Sequence, residues 1–230
     1  MIDTALIIAG GLGTRLRPLT YAVPKPLLPI GDKPIIEKII LGMKAHGIMN
    51  FIVAVNYKKE MIQNYLKDGK TLGVDITYIE EDEYTGTAGC LAHIQLDKDM
   101  IISNGDLLCD LNYNVLYEMK NKFDFVITSI KKEYKIDYGV LKYNEEKQLL
   151  DWEEKPTNHF AINAGIYLIN AKVISFINKN QKQNSYLDMP DLWKFLLENK
   201  FSIGIYEHTG MWKDVGRMED YLELNSPKEF

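Results

Sequence analysis

Ile7-Ile8-Ala9-Gly10-Gly11-Leu12-Gly13-Thr14-Arg15-Leu16-Arg17-Pro18 is the stretch whose reading decides the fold. The apolar run from Thr4 to Ala9 reads as a buried strand, and Gly10 to Gly13 as the loop that leaves it. Three glycines directly after a strand let backbone N–H groups approach an anion without side-chain obstruction. Arg15 and Arg17 follow, and Pro24-Lys25-Pro26 comes soon after. Phosphoryl chemistry needs fixed cations beside oxygens that gain charge in the transition state, and this segment supplies them.

Two common phosphate loops do not fit. In a Walker A loop a glycine precedes the Gly-Lys-Thr group, but here Asn64 stands where that glycine belongs before Gly69-Lys70-Thr71. A dinucleotide fingerprint begun at Gly11 meets Leu16 at its third glycine position. Asp32 keeps a workable distance for a ribose contact, so a dinucleotide site is weakened and not removed.

Outward from the loop, Ile35, Ile36, Ile39, Ile40 and Met43 form one helical stripe that ends near Gly47. Phe51 to Val55 reads as a strand, Lys58 to Leu66 as an amphipathic segment, and Val74 to Ile79 and Met100 to Ser103 as further strands. This rhythm predicts βαβ units and a parallel sheet with both faces covered. In the second half, Phe125 to Ile130, Val140 to Tyr143, Leu149 to Trp152 and Ile162 to Ile169 read as strands separated by turns, so part of the sheet is expected to be antiparallel. Asp188 and Pro190 mark a helix start, with Leu192, Trp193, Leu196 and Leu197 on one face. Gly204 to Tyr206 reads as a late strand and Met218 to Leu224 as a closing helix. The expectation is one α/β domain, residues 1–225, with a short tail at 226–230.

Of the 230 residues, 46% are hydrophobic and 26% charged, the balance of a chain that buries a real core. A net charge of -5 argues against a nucleic-acid coat or a membrane-surface module. The two cysteines, Cys90 and Cys109, form no CxxC pair and read as packing residues in a cytoplasmic protein.

The segment AGGLGTRLRPLT with PKPLLPI resembles the signature of the sugar-phosphate nucleotidylyltransferases. The resemblance continues in the family's order through Gly86-Thr87-Ala88-Gly89, Asn104-Gly105-Asp106, Glu153-Glu154-Lys155-Pro156, Asn163-Ala164-Gly165-Ile166-Tyr167 and Trp212-Lys213-Asp214-Val215-Gly216. It is nearest to bacterial guanylyltransferases acting on hexosamine or related sugar 1-phosphates, such as the one that uses glucosamine 1-phosphate in legionaminic acid synthesis. It implies a single Rossmann-like domain with a mixed, mostly parallel sheet flanked by helices; many members carry a further domain after the catalytic part, and none is expected after the final helix here. The implied partners are a nucleoside triphosphate and a sugar 1-phosphate; a homo-oligomer is left open.

The resemblance assigns Arg15 and Lys25 to the triphosphate and the transferring phosphate, and Ala9, Gly10, Gly11, Gly13 and Gly86 to the nucleotide. Asp106 and Asp214 become ligands of a magnesium ion, with Asp110 as an alternative; taken alone, each aspartate reads as a turn former or a helix cap. Gly139, Glu154, Lys155 and Asn163 are assigned to the sugar phosphate, although Lys155 by itself is an ordinary lysine before a proline turn. Glu80 or Glu81 is the expected reader of the base. Guanine offers two adjacent donors that match a carboxylate's two oxygens, whereas uracil and thymine offer one donor flanked by acceptors. A UTP- or dTTP-dependent relative, a non-catalytic sugar-nucleotide-binding module and a dinucleotide-dependent oxidoreductase are the rival readings.

Overall fold

The computed structural model describes residues 2–226; Met1 and residues 227–230, most of the expected tail, lie outside the described residues. In chain order the elements are β1 (Thr4–Ile8), α1 (Leu19–Ala22), β2 (Pro29–Ile30), β3 (Lys33–Pro34), α2 (Ile35–Lys44), β4 (Asn50–Val55), α3 (Lys59–Leu66) and β5 (Asp75–Glu80). Then come β6 (Met100–Asn104), β7 (Leu107–Cys109), α4 (Tyr113–Met119), β8 (Phe125–Lys135), β9 (Val140–Tyr143), β10 (Leu149–Glu153) and β11 (Thr157–Ile169). The chain closes with α5 (Ala171–Asn180), α6 (Met189–Glu198), β12 (Ile203–His208), β13 (Trp212–Asp214) and α7 (Met218–Asn225).

Seven strands form the central sheet in the order β12-β8-β11-β6-β1-β4-β5. β6, β1, β4 and β5 pair in parallel, as do β8 and β12, and β11 alone runs against both of its neighbours. The mixed, mostly parallel sheet expected from the sequence is therefore present. Its two faces follow from the strand period of two. On β1, Ala5 and Ile7 point into one apolar cluster with Ile36 and Ile40 of α2, Ile62 of α3 and Leu116 of α4. Leu6, between them, points into a second cluster with Ile174 and Ile177 of α5 and Leu192 and Leu196 of α6. A strand buried on both sides must read as a continuous apolar run, which is why Thr4 to Ile8 does.

All five stripe residues of α2 are buried. Ile40 is fully enclosed, so Ile40→Ala should cost about 3 kcal/mol through lost transfer energy and a residual cavity. A lower urea midpoint at unchanged slope is the expected measurement. Two apolar residues of the expected elements are left exposed. Leu197 is 59% exposed, because it lies at the edge of the α6 stripe and no element covers it. Trp152, at the end of the stretch read as a strand, is 64% exposed on the β9–β10 hairpin, a separate two-stranded unit.

Position in the sheet decides where the chemistry lies. β1 has β4 on one side and β6 on the other, so the chain leaves it in opposite directions and a crevice opens at the carboxyl ends of β1 and β6. The backbones meet closely there: the Gly105 N–H donates to the Ile8 carbonyl at 2.8 Å, and a Cβ on Gly105 would lie 2.7 Å from that oxygen. Only glycine admits this contact.

Candidate active site

A cleft of about 300 Å³ occupies the crevice, lined by Ala9, Gly11, Gly13 and Arg15 after β1, by Asn104, Gly105 and Asp106 after β6, and by Lys25. The glycine loop takes its shape from Gly13, at φ 61°, which begins a short turn over Thr14–Leu16. Its carbonyl accepts the Thr20 hydroxyl at 2.9 Å. Gly10 packs against Asn56 at the end of β4, and Gly11 faces open space.

Lys25 is only 8% exposed, yet it is charged. Burial of an ammonium requires partners, and the two supplied are Asp106 and Asp214. Its Nζ donates to Asp106 Oδ2 and lies 3.8 Å from Asp214 Oδ1. Two carboxylates separated by more than a hundred residues thus meet on one cation. The register of β13 against β7 brings them together, Asp214 opposite Leu107 and Trp212 opposite Cys109. Val215 N–H donates to the Asp106 carbonyl at 3.0 Å, and the Trp212 ring N–H fixes the ribbon to the Ala164 carbonyl at 2.9 Å. Asp214 therefore sits in a strand and not at a turn or helix cap, because this ladder continues through it. Burial, reinforced by the Asp106 carboxylate, pushes the Asp214 carboxyl above its usual range, with Lys25 and Arg15 opposing. The pair still lacks positive charge, and its hard oxygen donors suit a magnesium-type cation. Asp110, the alternative ligand, is elsewhere: its carboxylate contacts His208.

Glu80, the last residue of β5, and Glu81, just past its end, have different surroundings. Glu80 is exposed, bound by Lys59 at 2.8 Å and Gln63 at 2.8 Å on the α3 side, so it does not join the cleft. Glu81 is 4% exposed, near Gly10, and accepts the Thr85 hydroxyl; burial pushes its carboxyl upward. Gly86 begins a loop anchored to α6. Asp188 does not cap that helix with its side chain: it accepts the Thr87 N–H at 2.9 Å, while the Thr87 hydroxyl accepts the Met189 N–H at 2.9 Å.

A second, larger cavity of about 720 Å³ adjoins the acid pair, sharing Arg15, Asp106 and Asp214 with the rest of the site and bounded by Asn163, Lys132 and Arg217. Asn163 lies on β11 and lines this cavity. Gly139, Glu154 and Lys155 do not line this cavity. They belong to the exposed stretch around β9 and β10, where a Cβ on Gly139 would meet Glu154 Oε2 at 2.9 Å. The long β8–β11 ladder carries them outward beyond the core. Tyr84 and Thr87 in the cleft, and Lys132 and Arg217 in the larger cavity, escaped the sequence reading. Two carried a signal: Thr87 lies inside Gly86-Thr87-Ala88-Gly89, and Arg217 directly follows Trp212-Lys213-Asp214-Val215-Gly216.

Comparison with known proteins adds a family and several relatives. The family described as Nucleotidyl transferase matches residues 4–229. A mannose-1-phosphate guanyltransferase of Yarrowia lipolytica is 36% identical over 228 residues, covering 94% of this chain and 61% of that protein. A UTP–glucose-1-phosphate uridylyltransferase of Synechocystis is 31% identical over 241 residues, covering 95% of this chain and 61% of that protein. Among solved structures, a putative glucose-1-phosphate thymidylyltransferase from Bacillus anthracis, in complex with a sucrose, superposes with a TM-score of 0.74 at 26% identity over 97% of this chain and 94% of that one. The chain spans about three fifths of the length of the two curated relatives, 61% in each case.

Proposed function

The chain belongs to the nucleotidyl transferase family, and on that premise we propose that it transfers a guanylyl group from GTP to a sugar 1-phosphate, releasing pyrophosphate. The observation that carries this reading is the meeting of Lys25, Asp106 and Asp214 at the mouth of a glycine-lined cleft beside Arg15. A phosphate oxygen of the sugar 1-phosphate attacks the α-phosphorus of the triphosphate, and the bond to the pyrophosphate oxygen breaks. No covalent enzyme intermediate is required. Holding two polyanions in line and neutralising their charge is the main catalytic task.

In this reading Arg15 and the loop N–H groups from Ala9 to Gly13 bind the triphosphate, and Lys25 neutralises the transferring phosphate. Asp106 and Asp214 are the residues that would hold Mg2+, which when bound neutralises phosphate oxygens and orients the α-phosphate. Asn163, in the larger cavity, receives sugar hydroxyls. Gly139, Glu154 and Lys155, on the exposed stretch around β9 and β10, are the further residues assigned to the sugar phosphate, and Tyr138 at 79% and Trp152 at 64% exposure leave apolar surface there for a ligand to cover. The cytoplasm is the compartment we assign, in keeping with free Cys90 and Cys109.

The base is the finer question. Glu81, buried beside Gly10, is the candidate reader, and the guanyltransferase name of the Yarrowia relative favours guanine. Glu81→Gln should reduce the preference for GTP over UTP by ~10–100-fold, the worth of a hydrogen bond to a charged group. Glu80→Gln should leave it unchanged, and a full GTP preference in Glu81→Gln would remove the assignment. The Synechocystis relative favours UTP as the second reading. A matrix of nucleoside triphosphates against sugar 1-phosphates, glucosamine 1-phosphate among them, with products identified by mass, tests both the activity and the substrates. Absence of pyrophosphate release in every combination would leave a binding module instead.

A further inference from the structure

At the far end of the β7–β13 ribbon, outside the cleft, three chemically different donors meet. The Cys109 thiol, the Asp110 carboxylate and the His208 ring nitrogen Nε2 lie within 4.8 Å of one another. Asp110 Oδ1 is 2.9 Å from His208 Nε2. They come from two strands that are distant in sequence: Cys109 ends β7, Asp110 follows it, and His208 ends β12. The Asp110 N–H donates to the Met211 carbonyl at 3.1 Å, which closes the ribbon at this point.

The grouping depends on Gly210. A Cβ there would lie 2.3 Å from Asp110 Oδ1 and 2.8 Å from His208 Cε1, so any side chain would drive the aspartate and the imidazole apart. His208 is 8% exposed and held in place, whereas the Asp110 side chain is 55% exposed, leaving a route from solvent. Among the described residues, no ion pair links this group to Lys25, Asp106 or Asp214.

We propose that Cys109, Asp110 and His208 form a second cation site, specific for a borderline divalent ion of the zinc class and separate from the acid pair in the cleft. One thiolate, one imidazole and one carboxylate, with the fourth position left to solvent, are a donor set that zinc uses. Magnesium prefers oxygen donors alone, so the cation that serves the cleft does not compete well here. On uptake the Cys109 S–H bond breaks, the proton passes to solvent and the sulfur bonds the ion. The His208 Nε2–H bond that donates to Asp110 breaks, its proton passing through solvent to Nδ1 of the same ring, and the freed Nε2 lone pair bonds the ion as the hydrogen bond to Asp110 opens.

Such an ion would tie the end of β7 to the end of β12. The same ribbon carries Asp106, three residues before Cys109, and Asp214, opposite Leu107. Its role would be to fix the ribbon, and its binding can be measured whether or not the catalytic reading holds.

The test is titration of chelator-treated protein with Co(II) in magnesium-containing buffer, following the thiolate-to-cobalt charge-transfer band in the near ultraviolet. A single equivalent should bind with that band, Zn(II) should displace it, and the thermal midpoint should rise with Zn(II). Cys109→Ser should abolish the band. Asp110→Asn and His208→Gln should each weaken Co(II) binding by at least about tenfold, with unchanged far-ultraviolet circular dichroism showing that the fold is kept. No band at saturating Co(II), a band that persists in Cys109→Ser, or affinity unchanged in both Asp110→Asn and His208→Gln would overturn the site.

Discussion

Asp106→Asn and Asp214→Asn should each lower turnover by about a thousandfold or more, the upper range for loss of one electrostatic stabiliser of a transition state, while the protein remains folded. The substitution keeps shape and removes charge, so it isolates what the carboxylates contribute. Both groups face Lys25, and both would be needed to hold a divalent cation against a polyphosphate. The two variants should nevertheless differ from a merely damaged protein in stability. Burial and the neighbouring Asp106 raise the Asp214 carboxyl. A raised carboxyl contributes stability fully below the ordinary aspartate range, and that contribution is lost as pH climbs through the folded value. Above that value, without divalent ions, ionised Asp214 therefore weakens the fold. Asp214→Asn should melt at or above the temperature of the parent protein while catalysing almost nothing. Near-parental turnover in either variant would end the assignment, and so would full activity of the parent in excess chelator.

Lys25→Ala should fail in the opposite way, losing stability together with activity. Removing one partner of a largely buried ion pair leaves the other charge uncompensated, at a cost that reaches 3–5 kcal/mol for full burial. Here Asp106 and Asp214 are partly open to water, so a cost of about 2–3 kcal/mol is expected, or roughly 4–12 °C in melting temperature for a domain of this size. Millimolar magnesium should recover part of that loss, since a cation would again stand between the carboxylates, but it cannot restore the ammonium that meets the transferring phosphate. Thermal melts with and without magnesium, run beside single-turnover assays, separate the two effects. A variant as stable as the parent in chelator would mean that Lys25 does not neutralise the acid pair.

Several features of the fold were legible from short-range pattern alone. β1, α2 and β4 each bury a complete face or both faces, so the apolar run or stripe that defines them is written in consecutive residues. β9 was read to its last residue because its turns bound it. β8 and β11 were read short: beyond Ile130 and before Ile162 they leave the core, and a strand that is exposed carries no apolar alternation. α4 and α5 carry only a weak pattern, since α4 buries two residues and α5 three.

The divide at the candidate site has the same physical origin. By itself the sequence determined the strand, the glycine loop and the basic residues after it, because backbone freedom and fixed charge are local properties of Gly10 to Lys25. Which carboxylates face Lys25 was decided only by the tertiary structure. The β7–β13 register seats Asp214 beside Asp106 and turns Asp110 to His208, while Glu80 at the end of β5 is left exposed and Glu81 just past it is enclosed. The meetings of Asp214 with Asp106 and of Asp110 with His208 depend on pairing between residues that are far apart in the chain, and no local spacing encodes them.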